Sequence, residues 1–214
     1  MILVNKPLRW TSADVVKKIR NQVHAKVGHA GTLDPLATGL LILCTGKFTK
    51  KINEYMLKEK EYTGTFTLGA TRPSYDLETE QENQKEYSHI TSTDLEKVSR
   101  QFIGEIIQVP PIYSAIKKNG QRSYDLARQG KAVELEGRKV MIYAFDMQLQ
   151  QPPVVSFRVV CSTGTYIRSL AHDVGQALGS GAYLSSLCRT RIGEYRLEDA
   201  IDPEKGLMTI KTDS

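Results

Sequence analysis

The 214-residue chain has only three cysteines, Cys44, Cys161 and Cys188, widely spaced and in no CxxC pair. That excludes a zinc ribbon and a redox dithiol, and leaves the three as small apolar residues for the interior. Long apolar runs are missing too. Residues 1–4 lead within a few positions to Lys6 and Pro7, too short a stretch for a signal-peptide core, and no later segment approaches the length of a membrane span. The expected location is the cytoplasm. Internal repeats, low-complexity linkers and shifts of composition are absent as well, so residues 1–214 read as one domain, long enough to bury a core without disulfide or metal.

Two common site chemistries are also wanting. Gly39 and the pair Gly46-Lys47 suggest a phosphate loop, but their spacing is wrong and Phe48 stands where a Ser or Thr would bind magnesium. His24, His29 and Asp34 have no further ligand nearby and no HExxH pattern, so no metal site is expected.

What is present is a surplus of positive charge. Lys and Arg number 29 against 24 Asp and Glu, and the pI of about 9.0 gives a surface able to attract polyanions. Lys17, Lys18, Lys26, Lys58, Arg122, Arg128 and Arg189 are candidates for phosphate contacts, each weighed against a plain solvated charge.

Periodicity places a strand at residues 2–5, then a helix capped by Thr11 or Ser12 with Val15, Val16, Ile19 and Val23 on one face. Residues 28–39 read as an ordered loop, 40–44 as a buried strand and 62–68 as a further strand. The polar, acidic stretch 72–87 is expected to be an exposed loop, and 91–107 and 123–129 to be helices. Residues 139–149 and 154–161 read as paired strands, 165–178 as a helix and 192–197 as a last strand. Hairpins mixed with helices, without regular strand-helix alternation, predict an α+β fold with a mixed, mostly antiparallel sheet flanked by helices and loops.

Asp34 lies in a glycine-bounded loop before a proline that biases its backbone toward an extended conformation. Taken alone it is a turn residue as readily as a catalytic carboxylate. Gly164-Thr165-Tyr166-Ile167-Arg168 puts an aromatic ring and a guanidinium at a helix start, and Lys60-Glu61-Tyr62 puts an aromatic at a strand start. Both also suit ordinary packing.

Together and in this order, several segments resemble the bacterial TruB-type family of tRNA pseudouridine-55 synthases. They are Val4-Asn5-Lys6-Pro7, the block from Gly28 through Asp34 to Leu41, Lys60-Glu61-Tyr62, Pro110-Pro111 through Lys117, Tyr124 through Gly130, Gly164 through Leu170, and Tyr183-Leu184 through Leu187. The resemblance implies the pseudouridine synthase fold and an isomerase that converts uridine 55 of the tRNA T loop to pseudouridine without a cofactor. It makes Asp34 the essential carboxylate, Arg168 its ion-pair partner, and Tyr62 the ring that stacks on the uracil and is the candidate for proton transfer. Tyr166 lines the pocket, His29 fills the gap left by the extruded base, Leu187 packs against the pocket, and Lys117 supports the site or touches phosphate. The expected partner is the T stem-loop of tRNA, for a monomer with no obligatory protein partner. The short chain is expected to lack the C-terminal PUA-like RNA-binding domain of many relatives. Two other readings stand beside this one: an enzyme dependent on guide RNA, and a non-catalytic RNA-binding or tRNA-folding module.

Overall fold

The apolar run after Gly39 becomes a strand with both faces buried. The computed structural model describes residues 1–114 and 135–205, together with the backbone of the short strands Lys117–Lys118 and Gln121–Arg122. It divides into two units: residues 1–63 with those from 186 onward, and residues 64–185.

The first unit contains β1 (Ile2–Lys6), α1 (Ser12–Val23), β2 (Val27–His29), β3 (Ala37–Thr45), α2 (Ile52–Met56) and the start of β4 (Lys60–Leu68). β5 (Gly104–Gln108), β6 (Lys117–Lys118), β7 (Gln121–Arg122), β8 (Arg138–Leu149) and β9 (Val154–Cys161) belong to the second unit. The first unit also takes the end of β10 (Ala182–Ile192), and β11 (Tyr195–Arg196). β3 pairs antiparallel with β1 from Ile2↔Leu43 to Lys6↔Gly39, antiparallel with β2, and parallel with β10 from Leu187↔Ala37 to Arg189↔Gly39. Alternation along β3 sends Leu41 and Leu43 to Val4, Val15 and Ile19, and sends Leu40, Ile42 and Cys44 to Ala30 and Ile192. Each such aliphatic side chain contributes about 1.5–3 kcal/mol when fully buried.

α1 forms where the sequence supplies a cap. Thr11 Oγ1 accepts from the Asp14 N–H at 3.1 Å, and the Asp14 carboxylate accepts from the Thr11 N–H at 2.8 Å. Two donors that the helix start leaves open are thereby satisfied. The helix ends at His24, which takes a left-handed conformation.

In the second unit the strand order is β10-β4-β9-β8-β5. β8 and β9 form the expected antiparallel hairpin, with a register shift between Ile142 and Ala144. Phe66 stacks on Phe157 at 4.2 Å and meets Phe145 edge-on at 6.3 Å. α3 (Ser92–Gln101), capped by Thr91 and Asp94 as α1 is by Thr11 and Asp14, packs on β8, and α4 (Ile167–Ala177) packs against α3. The fold is α+β, and the pairing of β3 with β10 makes its mostly antiparallel sheet mixed.

Three expectations change. The helix at 91–107 stops at Gln101; Gly104 takes a φ of 103°, and the Glu-Ile-Ile-Gln that follows alternates in burial and pairs with β8. The strand β10 was not foreseen. The stretch 72–87 is not wholly an exposed loop, since Ser74 and Asp76 are buried. The helix expected at 123–129 lies outside the described residues. Among those described, no helix is long and apolar enough to cross a membrane.

Candidate active site

Asp34 sits on the segment joining β2 to β3, and the main chain on each side of it is held from beneath. Ser12, in the first turn of α1, accepts a hydrogen bond from the Leu33 N–H at 2.9 Å and donates to the Leu33 carbonyl at 3.2 Å. Both polar groups of that buried residue are satisfied by one hydroxyl; leaving either unpaired would cost about 1–3 kcal/mol. After Asp34, its own carbonyl accepts from the Ala37 N–H, and Pro35 O accepts from the Arg9 N–H at 2.7 Å.

Two buried cations complete the support. Lys6, fully buried, donates from Nζ to the carbonyls of Trp10, Pro7 and Pro35. Burial lowers its pKa to about 8; the charge of Asp34 acts in the opposite sense, and that of Arg189 adds to the lowering. Arg189, 1% exposed, donates from Nε to Leu40 O at 2.8 Å, from one terminal nitrogen to Thr32 O at 3.4 Å and from the other to Gly31 O at 3.1 Å.

The other expected residues of this unit lie on its strands. Tyr62, on β4, is 7% exposed. Ahead of it, Lys60 is buried with Nζ on the carbonyls of Met56 and Lys58, which anchors the start of β4 to the end of α2. His29, at the end of β2, is half-buried, and burial followed by the charge of Arg189 pushes its pKa below the usual histidine value, so it is neutral at pH 7. Leu187, on β10, is in register with Ala37 and its carbonyl accepts from Thr38 Oγ1.

In the second unit Arg168 occupies the first turn of α4 and is 5% exposed. Its guanidinium donates to the carbonyls of Tyr113 at 2.9 Å and Ser74 at 3.3 Å, and lies 3.7 Å from the carboxylate of Asp76, itself 6% exposed. Asp76 also accepts from the Glu78 N–H at 2.9 Å. A buried pair of this kind persists only because hydrogen bonds satisfy what the charges leave open.

Tyr166 caps α4. Gln108, fully buried at the end of β5, accepts from the Tyr166 N–H at 2.8 Å and donates to the Tyr166 carbonyl at 3.1 Å. Arg138 lies over the Tyr166 ring at 4.7 Å and donates to Gly164 O. Lys117 lies on β6, its backbone paired with Arg122. Its side chain is outside the described residues.

Sequence reasoning missed three residues here. Asp76 reads in the sequence as one of several solvent-facing charges, and Gln108 lies just past the end of the expected helix 91–107. Arg189 was a candidate phosphate contact; its burial among carbonyls removes it from that role. Lys58 is paired with Glu194 at 2.8 Å, while Lys17, Lys18 and Lys26 are exposed as expected. Arg128 lies outside the described residues, as does the side chain of Arg122.

A family model described as the N-terminal domain of TruB family pseudouridylate synthase matches residues 17–167. The chain is 53% identical over 210 residues to a tRNA pseudouridine synthase B of Flavobacterium johnsoniae, covering 94% of this chain and 92% of that one. It is 50% identical to the protein of the same name from Bacteroides thetaiotaomicron, covering 95% and 90%. Among solved structures, a chain in a crystal structure of a Cbf5-Nop10-Gar1 complex aligns with a TM-score of 0.70 at 32% identity, over 94% of this chain and 51% of that one, so this chain spans about half its length. With half of its sequence shared with relatives over nearly their full length, the chain belongs to the TruB family of pseudouridylate synthases.

Proposed function

We propose that this chain is a tRNA pseudouridine synthase that isomerises uridine 55 of the T loop, with Asp34 as its essential carboxylate. The observation that carries the reading is the support of the Asp34 segment: buried Ser12, Lys6 and Arg189 all bond its main chain, which is how a carboxylate is held in one geometry for chemistry. The two units together act as a single catalytic domain.

The reaction breaks the bond from uracil N1 to ribose C1′ and forms one from C5 to C1′. The proton on C5 is lost and N1 ends protonated, so atoms and charge balance with no oxidant or reductant. No redox or metal cofactor is required for that balance. Arg168 is proposed to keep Asp34 ionised and oriented where water is excluded and a carboxylate would otherwise favour protonation. Tyr62 stacks on the uracil and is the candidate for the proton transfer from C5, and Tyr166 lines the pocket.

Reaching a base in a folded loop means extruding it, at a cost of a few kcal/mol in lost stacking. His29 offsets part of that by filling the gap, and Leu187 packs against the pocket. Lys117 supports the site or meets phosphate. The enzyme acts as a cytoplasmic monomer on the T arm without an obligatory protein partner.

The test is to incubate the purified protein alone with an unmodified tRNA transcript and map pseudouridine, beside Asp34→Asn. Product at position 55 from the parent and none from the variant supports the proposal. Product only with added guide RNA, or tight binding without product, overturns it.

A further inference from the structure

We propose that Arg189, seconded by Ser12, is a positioning residue for Asp34: its guanidinium sets the height and direction of the catalytic segment without touching substrate. The inference rests on the reading of Asp34 as the catalytic carboxylate.

Arg189 is 1% exposed, and among the described residues its hydrogen bonds all go to main-chain carbonyls. Two of these, Gly31 and Thr32, lie just upstream of Asp34; the third, Leu40, lies downstream in β3. One rigid planar group therefore ties the entry of the segment to its exit. An ammonium on a flexible stem cannot present several donors in that fixed arrangement. Ser12 fixes the intervening Leu33, the residue directly before Asp34, through both of its backbone polar groups. The turn is closed by the Ala37 N–H on the Asp34 carbonyl.

Burying a cation in this way is a poor device for stability, since well-packed apolar residues commonly do as well. The arrangement suits geometry better. Its charge is felt nearby, lowering the proton affinity of both Lys6 and His29, and its bonds fall on the residues that flank Asp34.

The experiment compares the parent with Arg189→Lys, Arg189→Met, Ser12→Ala and Asp34→Asn, measuring the single-turnover rate of pseudouridine formation and the Kd for the same tRNA transcript, with urea unfolding of each protein. A displacement of an ångström at a reacting group costs on the order of 100-fold. We expect folded Arg189→Lys and Arg189→Met to lose about that much rate, and Ser12→Ala roughly 10-fold, with Kd within about 3-fold of the parent, the signature of a group acting only in the chemical step. Folded Arg189→Lys at the parental rate overturns the role, and so does a loss of rate matched by an equal loss of binding. Should both Arg189 variants fail to fold, Ser12→Ala decides: a slower rate at unchanged Kd sustains the positioning of the segment, and a parental rate overturns it. Product from Asp34→Asn at the parental rate overturns the reading of Asp34 itself. An inactive Asp34→Asn beside a fully active Arg189→Lys removes only the positioning role.

Discussion

Arg189 lies opposite Gly39 where β10 runs parallel to β3, and a Cβ on Gly39 would fall 2.4 Å from the Arg189 carbonyl oxygen and 2.6 Å from its nitrogen. Lys6 is in register with the same glycine on the antiparallel strand β1. Gly39 therefore admits the close approach of β10 that brings Arg189 to the Asp34 segment, while Lys6 reaches it from the strand on the other side.

Gly39→Ala is expected to destabilise the protein by more than about 2 kcal/mol, because backbone must move and a φ of 107° does not suit an L side chain. Urea unfolding measures it; a loss below about 0.5 kcal/mol, the range of harmless surface changes, contradicts the close approach.

Removing the carboxylate of Asp76 leaves Arg168 buried without that counter-charge. Asp76→Ala is expected to destabilise the protein by about 1–3 kcal/mol, the cost of removing one charged partner from a buried hydrogen-bonded network. Combined with Arg168→Met the loss should be smaller than the sum of the two single losses, read from a double-mutant cycle in urea. Strict additivity would mean that the pair contributes no coupling.

Gln108→Glu retains an acceptor for the Tyr166 N–H but loses the donor to the Tyr166 carbonyl, and places a charge in a fully buried position. The expected result is a loss of at least about 1–3 kcal/mol at pH 7 that shrinks as the pH falls and the new carboxyl takes a proton. Chemical denaturation at pH 7 and pH 5 distinguishes this from a pH-independent packing defect.

Burial raises the pKa of Asp173 to about 6 from 3.8. Between those values the folded protein binds the proton more tightly than the unfolded chain, so this group's contribution to stability is present at low pH and is lost as pH rises through about 6. Asp173→Asn is therefore expected to stabilise the protein at pH 7 by about 1–2 kcal/mol, allowing for partial solvent screening. The gain should vanish below pH 4, as followed by thermal melting across that range.

What the sequence disclosed depended on how local the cause was. α1 and α3 begin at Thr-x-x-Asp caps and β3 is an unbroken apolar run, signals contained within a few residues. The apolar spacing of α3 runs on into Ile106 and Ile107, which extends the expected helix past Gln101; the one break, Gly104, marks a strand only through the pairing of its neighbours with β8. β10 escaped notice for a related reason. Its Ser, Cys, Thr and Arg residues show no apolar alternation, and one of its inward positions is Arg189, whose partners are carbonyls distant in sequence. Asp76 looked solvated among acidic neighbours until the chain brought Arg168 to it. Asp34 was conspicuous only through the resemblance of the whole block around it; the groups that hold it in place are spread from Lys6 to Arg189.

His29 is neutral at pH 7, being half-buried and near Arg189. An uncharged imidazole displaces no counterion when RNA arrives. Whatever His29 contributes to holding tRNA should therefore persist as ionic strength rises, while the contribution of exposed lysines such as Lys17 and Lys18 fades. A salt titration of binding separates the part of recognition that comes from shape and stacking from the part that comes from charge.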